Sequence, residues 1–84
     1  MAYQAIAKNG EIYQISPQYW HQNQQQQALL LRYFAFPLKE DEHHLWLAVD
    51  SLNNLAACET FAFLSGKLVA PILFETHQLK QLLQ

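Results

Sequence analysis

In the segment Tyr3 to Ile15 the branched aliphatic residues are Ile6, Ile12 and Ile15, and two short apolar runs lie on either side of Asn9-Gly10. Asn-Gly is a strong two-residue turn signal, so this segment is predicted to be a small hairpin or a strand-like arm. Ser16-Pro17 then reads as a helix start, with Ser16 as N-cap and Pro17 in the first turn, where its missing N–H costs nothing. That helix carries Tyr19 and Trp20. From His21 to Gln27 the chain reads HQNQQQQ, a short polar run suited to a solvated helix face or a connector, since glutamine is an acceptable helix former. Leu29, Leu30, Tyr33 and Phe34 follow at i, i+1, i+4 and i+5, a helical stripe that leaves Arg32 outside. Pro37 is expected to end this helix, because the residue before a proline avoids helical geometry.

Beyond Pro37 the pattern changes to strands. Leu38 is expected to begin a strand, the charged cluster Lys39 to His44 to make a turn, and Leu45 to Val49 to form a second strand. The second strand is continuously apolar, the pattern of a strand covered on both faces, and belongs at the centre of a sheet. Asp50 and Ser51 are good cap residues, and the helix after them places Leu55, Cys58, Phe61, Ala62 and Leu64 on one broad face before Gly66 closes it. KLVAPILF has the length and branching of another strand, yet holds Pro71. Proline cannot donate to a ladder, so this strand is expected at an edge, or with Pro71 turned from its neighbour. Thr76 can cap a last helix that turns Leu79, Leu82 and Leu83 inward. Two strands joined through a helix form a βαβ unit, which favours parallel pairing. The predicted class is α+β: a small mixed sheet of three to four strands packed by helices, with a β-hairpin and a βαβ unit.

Composition narrows the function. The 84 residues make one domain, and 51% hydrophobic against 14% charged residues describes a compact unit. Lys8, Arg32, Lys39, Lys67 and Lys80 are scattered and the formal net charge is −2, so neither a phosphate-tracking stripe nor a polybasic membrane patch can be assembled and nucleic acid is not an expected ligand. The single cysteine, Cys58, leaves no internal disulfide and fits a reducing compartment. No apolar run approaches the roughly 20 residues that span a bilayer, and the polar N-terminus is not a signal peptide, so the expected location is the cytoplasm without direct membrane insertion.

Candidate chemistry is thin. His43 and His44 beside Glu40, Asp41 and Glu42 carry metal-binding groups, but adjacent strand residues point to opposite faces, so the cluster reads as a polar hairpin tip. A small metal enzyme would rest on this cluster alone. Cys58 on an apolar helix face reads as a small buried hydrophobe and not as a nucleophile. The only glycines are Gly10 and Gly66, so neither G-x-G-x-x-G nor a Walker loop exists to cradle a phosphate. Tyr3, Tyr13, Tyr19, Trp20, Tyr33 and Trp46 are many amphipathic rings for a small domain, and Tyr19, Trp20 and Tyr33 are the candidate partner-binding residues among them.

The order of several short motifs then points to a family. Arg32 to Pro37-Leu38 matches R-x-x-x-x-P-L, Leu45 to Asp50 matches the apolar strand L-x-L/V-A-V-x-D, and Phe63-Leu64-Ser65-Gly66 matches a helix ending F-L-S/T-G. A strand x-V-x-P closing on Pro71 and a capped helix x-L-x-x-L-L complete the series, with Pro37, Asp50, Gly66 and Pro71 as its structural motif residues. From Leu29 to Gln84 the chain resembles the N-terminal domain of the GspE/PilB family, the traffic ATPases of type II secretion and type IV pilus assembly. The resemblance implies a single N-terminal domain, residues 1–84, of a larger motor whose RecA-like ATPase domain carries the Walker motifs and binds ATP and magnesium. This fragment itself would not be an enzyme. The resemblance further implies a hexameric parent, located peripherally at the inner membrane because the domain docks on the cytoplasmic part of an inner-membrane platform protein. Some pilus ATPases use a related module to sense cyclic di-GMP through R-L-G-x-x-L/I/V, which makes a cyclic di-GMP-sensing regulatory domain the alternative. Here Arg32 is followed by Tyr33-Phe34, so that signature is missing, and Asp50-Ser51 stands where the family often has Asp-Pro.

Overall fold

In the computed structural model, which describes residues 3–83, the chain runs β1 (Tyr3–Ile6), β2 (Ile12–Ile15), α1 (Pro17–Gln25), α2 (Gln27–Tyr33), β3 (Ala35–Glu40), β4 (His44–Val49), α3 (Leu55–Ser65), β5 (Leu68–Leu73) and α4 (Thr76–Leu83). β1 and β2 form an antiparallel hairpin, and β3, β4 and β5 form a separate sheet with β4 in the middle. β4 runs antiparallel to β3 and parallel to β5, so the predicted hairpin and βαβ unit share their central strand. Leu45, Leu47, Ala48 and Val49 are buried, as a strand with a neighbour on each side and layers above and below requires. α3 lies on β4 and β5, and α4 packs on β3, α2 and β1.

The N-terminal hairpin closes through three residues, where a two-residue Asn9-Gly10 turn is expected. Ala7 N–H donates to Glu11 O at 2.8 Å and Gly10 N–H to Ala7 O at 2.9 Å, leaving Lys8-Asn9-Gly10 as the loop. Gly10 takes φ 91°, the left-handed bulge position that glycine occupies without strain. α1 starts as predicted, with Ser16 Oγ accepting the Tyr19 N–H at 3.2 Å and Pro17 in the first turn. The glutamine tract continues α1 to Gln25 and breaks at Gln26, and one member of the run, Asn23, is buried.

α2 stops earlier than Pro37 implies. Phe34 takes φ 52°, its N–H donates to Leu30 O, and β3 begins at Ala35, ahead of the expected Leu38. Pro37 therefore lies inside β3, and its bias toward extended geometry acts on a residue already in the strand. The β3–β4 register shifts between Pro37 and Lys39, a bulge that accommodates Leu38. α3 is capped by Asn54, where Asp50 or Ser51 is expected. The Asn54 Oδ1 accepts the Ala57 N–H at 3.4 Å while its Nδ2 donates to Tyr33 O at 2.8 Å, so one amide caps the start of α3 and satisfies a carbonyl at the end of α2. Gln27 acts similarly on α4, donating from Nε2 to Leu83 O at 2.8 Å. Thr76 is the first residue of α4, and its hydroxyl lies 3.3 Å from Asp50 Oδ2. Gly66 ends α3 in the left-handed conformation, φ 69°, as predicted.

Pro71 satisfies both conditions read from the sequence. β5 is an edge strand, and its N–H groups at Leu68 and Phe74 donate to β4 at His43 O and Val49 O. Successive N–H groups along a strand alternate in direction, so Val69, Pro71 and Leu73 face the outer edge. The Lys8 N–H already donates to Leu73 O on that edge. Pro71 thus removes the central donor from the outer edge of β5, where another strand could add. Pro71→Val is expected to fold, with stability changed by no more than about 1 kcal/mol, but to self-associate at concentrations where the parent chain is monomeric. Sedimentation velocity checks this, and a variant as monomeric as the parent would show that the proline does not guard the edge.

Candidate docking interface

The three aromatic residues marked as candidate contacts occupy two packing sites. Trp20 stacks on Tyr3 with ring centroids 4.3 Å apart and planes within 13°, and its other neighbour is Phe36 of β3 at 5.3 Å. Tyr19, beside it on α1, is half-buried; burial and then the negative charge of Glu40 push its phenol pKa up, so it stays neutral. Tyr33 meets Phe61 of α3 edge-on at 6.4 Å, with Arg32 5.8 Å from its ring. All three spend much of their surface inside the fold, Tyr19 and Trp20 together and Tyr33 against a different element.

An open depression of about 730 Å³ lies between the hairpin and the sheet, lined by Gln4, Glu11, Tyr13, Gln14, Lys39 and Trp46. Its charges are already engaged. The Lys39 ammonium sits 4.6 Å from the Trp46 ring centroid and 5.7 Å from that of Tyr13, a favourable cation–π arrangement. Tyr13 donates its hydroxyl to Glu11 Oε2 at 2.6 Å, and burial together with that carboxylate holds its pKa up at about 12.

The Glu40 to His44 segment is occupied by its own turn. Asp41 Oδ1 accepts the His43 N–H at 2.8 Å and the His44 N–H at 2.7 Å, two bonds that hold its carboxyl below the usual carboxylate range. Glu40 pairs with Lys67 at 3.0 Å. Among the described residues no three His, Cys, Asp or Glu side chains converge as a metal site. Burial pushes the half-buried Cys58 thiol up, away from the thiolate a nucleophile needs.

α3 carries the most exposed large apolar side chain, Phe63, together with Leu55 and Leu64, two residues of the face expected to be buried; Phe61 and Cys58 of that face do meet the core. Ala57 and Phe61, one turn apart, make the line that meets the sheet, so Leu55 is turned outward at 63% exposure and Leu64, in the last turn, remains 59% exposed. Phe63 is 87% exposed. The helix reads LAACETFAFLS, with only Glu59, Thr60 and Ser65 polar, so apolar residues occur all round it and no periodicity marks which side faces the core. That composition, which suits a helix buried on every side, is the signal that could have located this surface.

The sequence profile of the MshEN domain matches residues 11–84. The chain belongs to this family, the N-terminal domains of GspE/PilB-type ATPases, and the resemblance carried by the Leu29 to Gln84 motifs is borne out. It is 68% identical over 78 residues to the protein transport protein HofB homolog of Haemophilus influenzae, an alignment covering 93% of this chain and 17% of that relative. The chain thus spans about a sixth of the length of the curated relative it matches. No solved structure matches it. Among the described residues no helix is long and apolar enough to cross a membrane.

Proposed function

We propose that this chain is the non-catalytic docking domain of a secretion or pilus-assembly ATPase, which recruits the motor to the cytoplasmic domain of an inner-membrane platform protein. The observation that carries this reading is α3, a helix with core-like composition whose outward face is exposed on a domain of this family. ATP and magnesium belong to the remainder of the parent protein, since Gly10 and Gly66 are the only glycines available and no phosphate-cradling loop can be built from them. A hexameric parent would present six such domains to the platform. The domain then works in the cytoplasm, held at the membrane by its protein partner.

Calorimetric titration of the 84-residue chain with the cytoplasmic domain of the platform protein from the same system tests the reading. Micromolar binding is expected, with no heat from cyclic di-GMP because the R-L-G signature is missing. Absence of platform binding at high micromolar concentration, or tight binding of cyclic di-GMP, would overturn it.

A further inference from the structure

Leu55, Glu59 and Phe63 follow one another at intervals of four along α3, so they form a single outward stripe: two large apolar side chains with a carboxylate between them. Leu55 and Phe63 are 63% and 87% exposed. Among the described residues the ion pairs are His43–Glu42, His44–Asp41 and Lys67–Glu40, and none involves Glu59. A carboxylate in the middle of an apolar stripe selects what can cover it, because burial is favourable only if a cation arrives with the apolar surface.

That requirement separates the occupants. A second copy of this chain, meeting the stripe through a two-fold axis, would bring Glu59 toward its twin, a juxtaposition of like charges. An anionic bilayer surface would also be repelled by Glu59. An added β-strand does not cover a helix face, and the neighbouring edge of β5 is interrupted at Pro71 and occupied at Leu73 by Lys8. We infer that the α3 stripe receives an amphipathic helix carrying a lysine or arginine among its apolar residues, the apolar side chains covering Leu55 and Phe63 and the cation meeting Glu59. The inference rests on the docking reading above and names its surface and the chemistry of the platform element that binds there. It is a helix-on-helix mode, distinct from contact through Tyr19, Trp20 or Tyr33.

The test is a calorimetric and ¹⁵N-correlation NMR titration of the chain with the platform protein's cytoplasmic domain, for the parent sequence and for Phe63→Ala, Glu59→Lys and Glu59→Gln. Phe63→Ala and Glu59→Lys are each expected to weaken binding about tenfold or more and Glu59→Gln by roughly threefold, as for an apolar anchor and a paired charge. Chemical-shift changes are expected to centre on residues 55–63. Phe63 is largely exposed, so its variant should melt within a few degrees of the parent, which separates lost contact from lost folding. If the variants bind like the parent, the stripe is not the contact and the docking function stands without it. If the parent chain itself does not bind, the docking function falls and this inference with it. A concentration-dependent dimer abolished by Phe63→Ala would make a second copy the occupant and overturn the assignment.

Discussion

Leu47→Ala is expected to destabilise the domain by about 3 kcal/mol, the middle of the range for removing three carbons from a closed core. Leu47 lies in the central strand, is fully buried, and has a proline opposite it in each neighbouring strand, Pro37 in β3 and Pro71 in β5. Proline has a fixed φ and a ring that does not swing into a void, so neither cross-strand neighbour can close over the space. A domain of this size has a total stability on the order of 4–13 kcal/mol, and its midpoint moves by about 4–8 °C per kcal/mol. A fall of roughly 12–24 °C in thermal unfolding is therefore expected. Leu55→Ala is the paired control: the residue is 63% exposed, and its truncation should cost less than about 0.5 kcal/mol. Equal losses from the two variants would mean that α3 does not present the face described.

The contrast between Leu47 and Leu55 marks the limit of what the sequence pattern carries. Features that one or two residues produce by their own chemistry were readable: the Ser16-Pro17 helix start, the Gly66 stop, the apolar run of the central strand and the edge position of Pro71. Features imposed from a distance were not. Phe34 has no local reason to take φ 52°, a conformation that costs an L-residue about 1–2 kcal/mol. It is held there because Ala35 must enter the sheet opposite Val49 while Asn54 takes the carbonyl of Tyr33. The face expected on α3 is too broad, since Phe61 and Cys58 meet the core while Leu55 and Leu64 do not: a helix that is apolar all round has no moment to read, and a sheet can meet only one side of it. The same ambiguity hid the candidate interface. Aromatic residues suggest an interface by composition; of these, Trp20 stacks on Tyr3 and lies tilted against Phe36, while the most exposed ring is Phe63.

Asn23 lies inside a run of glutamines with nothing in the sequence to single it out, and its replacement is expected to be the most damaging polar change in the domain. The side chain is 2% exposed, and Nδ2 donates to Pro37 O at 3.0 Å, in the edge strand next to the bulge. Asn23→Leu keeps the approximate volume and leaves that carbonyl without its donor, at a cost of about 1–3 kcal/mol. Asn23→Asp adds an acceptor facing an acceptor and, at neutral pH, a buried charge without a partner, so a loss of more than about 3 kcal/mol is expected. The two variants separate on acidification. A carboxyl buried against a carbonyl oxygen has its pKa raised above the unfolded value of about 3.9, because only its protonated form can donate to Pro37 O. The stabilising contribution of that protonated form is full below the unfolded pKa and is lost as the pH rises through the folded one, so Asn23→Asp should recover toward the stability of the parent near pH 4 while Asn23→Leu does not. Urea unfolding at pH 4 and pH 7, each compared with the parent chain at the same pH, distinguishes them. A pH-independent deficit in Asn23→Asp would show that the donor to Pro37 O is not what holds α1 to the sheet.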